Sequence, residues 1–208
     1  MPASPRPSLA PLSRRTERTH QRLVRATRDV IAESGSFTAE RVSARAGLSP
    51  ATFYVYFPNK DEALVGAFSS VLDDLVDFAD ATFRVERLLE HGLEPLSRLW
   101  AREVAGFFEQ HTLVFRCALA RLPESAGLRA SYREHEQAVF ERYARFIDLG
   151  QRAGRIREGH PTPLARGLLV LTQGLNNPLV LGRDPADPLF DELGRSLCAL
   201  LAPGAEGG

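Results

Sequence analysis

Apolar residues recur at spacings of three and four along most of the chain, which is the pattern of amphipathic helices. In residues 125–153 these apolar positions form one continuous helical stripe. No segment rich in Val, Ile and Thr alternates with polar residues, and no Asn-Gly hairpin signal occurs. The pattern therefore predicts an all-α fold.

Glycines, prolines and capping residues divide this pattern into separate helices. Four prolines in residues 1–13 predict a disordered arm, and residues 203–208 are expected to form a frayed tail. Between them we expect helices over residues 14–34, 38–46, 50–56, 60–80, 88–110, 112–122, 125–153, 162–181 and 189–201.

The charge is distributed unevenly, although its formal sum is zero. Residues 1–60 hold ten basic and four acidic side chains, a balance of +6, so the remainder carries −6. A basic end on an otherwise acidic chain indicates that this end meets a polyanion, although a solvated basic face is the alternative.

Residues 38–57 have the segment lengths and order of a helix-turn-helix, in which a tight turn containing glycine joins two short helices. Thr38 is expected to cap the first of them. Gly47 can adopt a positive φ in the turn, and Ala46 allows the two helices to approach closely. Ser49 and Pro50 then supply a capping residue and a proline at the first helical position.

The sequence AGLSPATFYVYFPNKDEAL at residues 46–64 resembles the signature of tetracycline-repressor-type (TetR) regulators. The resemblance extends over residues 16–68 and covers order, spacing and residue type. Two departures occur: the loop after Gly35 is shorter than usual, and Ala39 and Ser43 replace a larger apolar residue and an alanine. These two departures affect the expected angle between the first two helices.

The resemblance implies an N-terminal three-helix DNA-binding domain in residues 14–60, with the helix at 60–80 as a link. Residues 81–202 would then form a C-terminal helical bundle for ligand binding and dimerisation. Such a protein is expected to be a repressor that leaves its operator when a small apolar or amphipathic effector binds. Its expected partners are double-stranded DNA with a palindromic operator, a second copy of the chain and that effector.

The third helix is short and begins with small residues, so its N-terminal end can enter a major groove about 12 Å wide. No Arg or Asn lies on this helix to bind a base in bidentate fashion, so specificity is expected to depend on shape and methyl contacts. The resemblance adds phosphate contacts from Thr38, Tyr56 and Lys60, the one lysine of the chain. The predicted DNA-binding residues are Thr38, Ser49, Pro50, Ala51, Thr52, Tyr54, Val55, Tyr56 and Lys60.

Aromatic residues concentrate between Leu88 and Phe146, where they either fill the core of a bundle or line an apolar cavity with a few polar groups. Taken alone, the pattern favours core packing for any single residue; the resemblance favours a cavity. The predicted ligand-binding residues are Trp100, Phe107, Phe108, His111, Phe115, Tyr132, Phe140, Tyr143 and Asn176.

The last two helices carry many apolar residues for chain-terminal helices, which fits either a partner surface or an intramolecular core. The partner surface predicts a four-helix interface across a two-fold axis. Its predicted residues are Leu164, Leu168, Leu171, Leu175, Leu193 and Leu197.

Enzymatic activity is not expected, because the chain has no HExxH, GxSxG or phosphate-loop pattern and a single Glu-x-x-His. We expect no metal and no cofactor. No apolar run is long enough for a membrane span or a signal peptide, so a cytoplasmic, nucleoid-associated protein is expected. The remaining alternative is a DNA-binding dimer without a small-molecule ligand.

Overall fold

Helices make up most of the part of the chain that the computed structural model describes, residues 14–204, and no strand occurs there. The all-α prediction is therefore confirmed. The predicted arm at 1–13 and the last four residues of the tail lie outside the described residues. The helices are α1 (Arg14–Ser34), α2 (Ala39–Ala46), α3 (Pro50–Tyr56), α4 (Lys60–Thr82), α5 (Val85–His91), α6 (Leu93–Arg121), α7 (Ala126–Arg152), α8 (Pro161–Gln173) and α9 (Leu189–Leu201).

The predicted boundary between a helix at 88–110 and a helix at 112–122 is wrong. The break falls at Gly92, whose φ of 77° ends α5, and α6 then runs without interruption through His111 and Thr112. The Thr112 hydroxyl donates a hydrogen bond to the Phe108 carbonyl oxygen at 2.9 Å, so the polar side chain is satisfied within the helix. His111 is itself buried on the inner face of α6.

The helix predicted at 162–181 is shorter than expected, because α8 ends at Gln173. A 3₁₀ turn, Gly174–Asn176, follows it, and Asn177 has an extended conformation at φ −93° and ψ 138°. Pro178 explains this end, since the residue before a proline is disfavoured in the helical region. The Asn177 side chain accepts a hydrogen bond from the Leu179 amide at 2.9 Å, which replaces helical pairing with a turn.

Two hydrophobic clusters organise the described residues. The smaller cluster joins α1, α2 and α3, with Leu23, Val42 and Phe53 each fully buried. The larger cluster joins α4 to α9, and Ile31 of α1 also belongs to it. Helix α4 contributes Ala63 to the smaller cluster and Leu64 to the larger one. It is therefore the helix that connects the two.

Helix α9 packs against α6 of the same chain at very short range. A Cβ atom at Gly194 would lie 2.6 Å from the Arg98 Cα atom, so only glycine fits between the two backbones. Arg102 of α6 also pairs with Asp191 of α9 at 2.7 Å. This packing gives the C-terminal helix an intramolecular partner.

No helix in residues 14–204 is both long and apolar enough to cross a membrane. In the same residues, no group of three or more His, Cys, Asp and Glu side chains is arranged to hold a metal ion.

Candidate nucleic-acid interface and small-molecule cavity

The turn between α2 and α3 is held by backbone hydrogen bonds around a left-handed glycine. Gly47 has φ 62° and ψ 39°, and its amide donates to the Ala44 carbonyl oxygen at 3.1 Å. The Leu48 amide donates to the Ser43 carbonyl oxygen at 2.9 Å. Such a cap satisfies the last carbonyl groups of α2 and redirects the chain into α3.

Helix α3 is capped at its start and anchored by its aromatic residues. The Ser49 hydroxyl accepts a hydrogen bond from the Thr52 amide at 3.2 Å, and Pro50 occupies the first helical position. Phe53 and Phe57 are buried in the smaller cluster, with their ring centroids 5.4 Å apart. These contacts fix which face of α3 points outward.

The outward face of α3 is unusually apolar for a solvent-exposed surface. Val55 is 77% exposed and Tyr54 is 50% exposed, and Pro50 and Ala51 are exposed beside them. The hydroxyl oxygens of Ser49 and Thr52 lie 2.9 Å apart at the N-terminal end of the same helix. Seven of the predicted DNA-binding residues therefore lie on this one short helix and its cap.

The three predicted phosphate contacts lie at the edges of this face. Thr38 is the cap of α2, and its hydroxyl oxygen accepts from the Arg41 amide at 3.3 Å. Tyr56 is half-buried, with its ring 6.4 Å from the His20 ring. Lys60 is exposed at the first position of α4, directly after the capping residue Asn59. Thr38 and Lys60 share Glu40 as a neighbour, and both help to lower the pKa of its carboxyl, after a backbone hydrogen bond of its own.

Four arginines on α1 form a basic groove, and none of them is among the predicted DNA-binding residues. Arg14, Arg15, Arg18 and Arg22 line it together with Thr19. None of the ion pairs in residues 14–204 includes these arginines. Their recurrence at spacings of three and four on one helix was the available signal. Arg22 also reaches the turn, because a Cβ atom at Gly47 would lie 2.8 Å from its guanidinium group.

A cavity of about 280 Å³ lies between α4, α6, α7 and α8. This volume is near the lower end of the range of ordinary ligand sites, roughly 300 to 1,000 Å³. Five of the nine predicted ligand-binding residues line it: Phe108, Phe115, Tyr132, Tyr143 and Asn176. The other lining residues were not among the predicted ligand-binding residues: Leu72, Leu75, Phe78, Val104, Leu119, Glu136, Val139, Leu169, Thr172 and Gln173.

The polar side chains of the cavity are connected by hydrogen bonds. The Tyr143 hydroxyl donates to Thr172 Oγ1 at 3.3 Å, and burial raises the pKa of this tyrosine. Gln173 Nε2 donates to Glu136 Oε1 at 2.9 Å and to the Tyr132 hydroxyl oxygen at 3.3 Å. The pKa of Tyr132 is raised by burial and, to a smaller extent, by the negative charge of Glu136. The wall is thus mainly apolar, with two polar groupings.

The other four predicted ligand-binding residues lie outside the cavity lining. Trp100 is fully buried, and its indole N–H donates to the Thr82 carbonyl oxygen at 3.3 Å. Phe107 stacks on Phe78 with ring centroids 5.1 Å apart, and the His111 ring lies 4.7 Å from that of Phe107. Phe140 is half-buried against the larger cluster. In this structure these four side chains serve core packing, the alternative that the sequence pattern also allowed.

Four of the six leucines predicted for a dimer interface are buried within the chain itself. Leu164, Leu168, Leu175 and Leu197 are at most 3% exposed, because α8 and α9 pack on the bundle. The residue choice was therefore wrong for these four. Leu171 is 38% exposed and Leu193 is partly exposed, so these two remain accessible to a second copy.

Residues 23–67 match the model of the bacterial regulatory proteins of the tetR family. The fatty acid metabolism regulator protein of Bacillus subtilis (strain 168) is 21% identical over 152 residues, which are 72% of this chain and 77% of that protein. The matched segment contains the turn at Gly47, the exposed face of α3 and Lys60.

Solved structures of regulators share the fold. A TetR-family regulator from Mesorhizobium loti MAFF303099 superposes with a TM-score of 0.72 at 18% identity, over 89% of this chain and 98% of its own. A regulator from Saccharomonospora viridis, solved in complex with choline, has a TM-score of 0.62 at 19% identity, over 89% and 98% of the two chains. Regulators of this family are DNA-binding transcription factors, not enzymes. With its glycine turn and capped third helix, the N-terminal segment of this chain therefore matches the tetR family of bacterial regulatory proteins over residues 23–67, and the described residues share the fold of the solved regulators.

Proposed function

We propose that the protein is a repressor that binds a palindromic operator as a homodimer and leaves it when a small apolar or amphipathic effector occupies the cavity. In this proposal residues 14–60 are the DNA-binding domain, and the helix that begins at Lys60 is the link. Residues 81–202 bind the effector and form the dimer.

One observation carries the proposal: α4 connects the cavity to the DNA-binding region. Leu72, Leu75 and Phe78 line the cavity, and the same helix begins with the exposed Lys60. At a rise of about 1.5 Å per residue, Leu72 lies about 18 Å along the helix from Lys60. A ligand that displaces these side chains therefore acts on a rigid element that reaches the DNA-binding region.

The exposed face of α3 is the proposed base-reading surface. The hydroxyls of Ser49 and Thr52 can bond to bases or phosphates, and the exposed Pro50, Ala51 and Val55 offer apolar contact to thymine methyl groups. Tyr54 contributes its exposed ring on the same face. Thr38, Tyr56 and Lys60 flank this surface as proposed phosphate contacts, together with the α1 arginines.

The exposed apolar side chains on the last turn of α8 and in the turn that follows it are the proposed dimer surface. Val170 is 66% exposed and Leu179 is 72% exposed, with Leu171 between them in sequence. A two-fold contact covers such a surface on both copies at once. The dimer would then present two copies of α3 to half-sites about 34 to 36 Å apart.

The cavity also favours this function over a DNA-binding dimer without a ligand, because a solid core would leave no room for an effector. The choline bound to the regulator from Saccharomonospora viridis belongs to that protein, but it supports small-molecule binding within this fold. A ligand that lowers DNA affinity must bind the DNA complex more weakly by the same factor.

The test fills the cavity and follows DNA release. DNA duplexes that the wild-type protein selects from a random-sequence pool serve as its binding sites. The affinity of the protein for these duplexes is then measured in the presence of each of a panel of small aromatic and alkyl compounds. We expect at least one compound to weaken DNA binding, and Val139→Phe to keep DNA affinity while losing that response. Ala138→Leu, just outside the lining, is the control. Compounds that saturate the cavity without changing DNA affinity would instead favour the ligand-independent dimer.

A further inference from the structure

The cavity carries a single formally charged group among its lining residues, the carboxylate of Glu136. None of the ion pairs in residues 14–204 includes Glu136, so no Arg, Lys or His neutralises it by direct contact. A carboxylate beside an apolar wall is costly unless it is paired or hydrogen-bonded. The charge of this site is therefore incompletely compensated by the chain.

The hydrogen bonds that Glu136 does receive come from a neutral group. Gln173 Nε2 donates to Oε1 at 2.9 Å, and within the described residues Oε2 accepts no hydrogen bond. The same amide group donates to the Tyr132 hydroxyl oxygen at 3.3 Å, which holds carboxylate and ring on one side of the cavity. The pKa of Tyr132 is raised first by burial and then by the negative charge of Glu136, so this hydroxyl lies near the carboxylate.

Aromatic rings make up much of the remaining wall. Tyr132, Tyr143, Phe108, Phe115 and Phe78 all line the same cavity. Aromatic rings attract a cation held within about 6 Å of their faces, and the attraction is larger when water is excluded. A carboxylate in the same cavity wall as such rings favours a positive group for two independent reasons. The same arrangement disfavours an anion, because like charges repel strongly where water is scarce.

We infer that the effector is a small amphipathic cation, a protonated or quaternary amine on an apolar body, whose positive end meets Glu136 and whose body lies among the aromatic rings. This inference rests on the proposed effector function of the cavity. The cavity volume of about 280 Å³ limits the body to a compact group such as one aromatic ring with a short chain.

Three probes that share a phenyl ring and a short chain separate the charge from the shape. Phenethylammonium is cationic, phenethyl alcohol is neutral and phenylpropanoate is anionic at neutral pH. Calorimetric titration of the full-length protein should give the tightest binding for the cation, about tenfold tighter than the alcohol, and the weakest for the anion. A charged hydrogen bond supplies a preference of this size.

Glu136→Gln removes the charge but keeps an oxygen that can accept from Gln173. We expect it to weaken phenethylammonium binding about tenfold and to change phenethyl alcohol binding less than twofold. Glu134→Gln, an exposed position two residues earlier on α7, is the control and should bind all three probes like the wild type. Circular dichroism and thermal unfolding of both variants check that the fold is kept.

The outcomes separate this inference from the function on which it rests. Equal binding of all three probes, or an unchanged preference in Glu136→Gln, would overturn the cationic class while leaving the cavity as an effector site. Failure of every probe to bind at millimolar concentration would likewise overturn the cationic class, whereas the effector function is tested separately by ligand-induced release of DNA.

Discussion

Arg28 Nη1 of α1 lies 2.6 Å from Asp74 Oδ2 of α4, which ties the first helix of the proposed DNA-binding domain to the proposed link helix. Arg28 Nη1 also donates to Ser70 Oγ at 3.3 Å. Leu75, the residue after Asp74, lines the cavity. A movement of α4 at the cavity wall therefore acts on an ion pair with α1.

A double-mutant cycle should measure this ion pair directly. Arg28→Ala, Asp74→Ala and the double variant are expected to give a coupling energy in unfolding below about 1 kcal/mol, because both side chains are partly exposed. Urea denaturation supplies the four free energies. Asp77→Ala, an exposed position on α4 outside the ion pairs of residues 14–204, is the control. A coupling energy of zero would mean that the pair does not join the two helices in solution.

His111 predicts a loss of stability on acidification. Its pKa is lowered first by burial and then by the positive charge of Arg28, while Asp74 acts in the opposite direction. The unfolded chain takes up the proton near its ordinary pKa of about 6.5, before the folded chain does. The contribution of neutral His111 to the free energy of unfolding is therefore present above about pH 6.5 and is lost as the pH falls toward the folded-state pKa.

The measurement is the free energy of unfolding between pH 7.5 and pH 5. His111→Phe should show a smaller decrease over this range than the wild type, because it removes the group that titrates. Arg28→Ala should raise the pKa of His111, which an NMR titration of the imidazole protons can follow. A decrease with the same slope in His111→Phe would assign the acid sensitivity to other groups.

The proposed phosphate contacts predict a change in the salt dependence of DNA binding. Lys60→Ala and Arg18→Ala should weaken binding to all duplex sequences and each reduce the salt slope of the affinity by about 1. Thr52→Ala should also change the preferred sequence, since it lies on the exposed face of α3. Mobility shifts at several salt concentrations measure both effects. Arg155→Ala, exposed between α7 and α8, is the charge-matched control, and the same slope for all variants would refute the proposed contacts.

Gly194 predicts a strict size limit where α6 and α9 cross. A Cβ atom there would lie 2.6 Å from the Arg98 Cα atom, so Gly194→Ala must separate the two backbones. We expect a loss of about 1 to 3 kcal/mol in unfolding free energy, as for other overpacked sites. Gly174→Ala is the control, because nothing lies within 4 Å of a Cβ atom there. Equal stability of the two variants would show that α9 packs differently.

The proposed dimer surface predicts opposite results for two leucines one turn apart. Leu171→Glu, at 38% exposed, should give folded monomers, whereas Leu168→Glu, at 0% exposed, should unfold the chain. Light scattering and circular dichroism together separate these outcomes. A folded Leu171→Glu dimer at micromolar concentration would place the interface elsewhere.

The helix-turn-helix could be predicted from the sequence, because its signals are local. The hydroxyl of Thr38 caps α2 through an amide three residues away, and Ser49 does the same for α3. Gly47 adopts the left-handed conformation that its place after Ala46 predicts. Each of these contacts joins residues within one turn, so neither distant packing nor a partner is needed to recognise it.

The cavity and the inward face of the last helices could not be predicted from the sequence, because both depend on how distant helices pack. Phe108 lines the cavity and Trp100 fills the core, although both are large aromatic residues on α6. Burial against the same chain and burial against a second copy produce the same helical periodicity, so the pattern could not assign Leu168 to the core and Leu171 to the surface. A cavity is space that several packed helices leave between them, and its position depends on their arrangement rather than on the composition of any one helix.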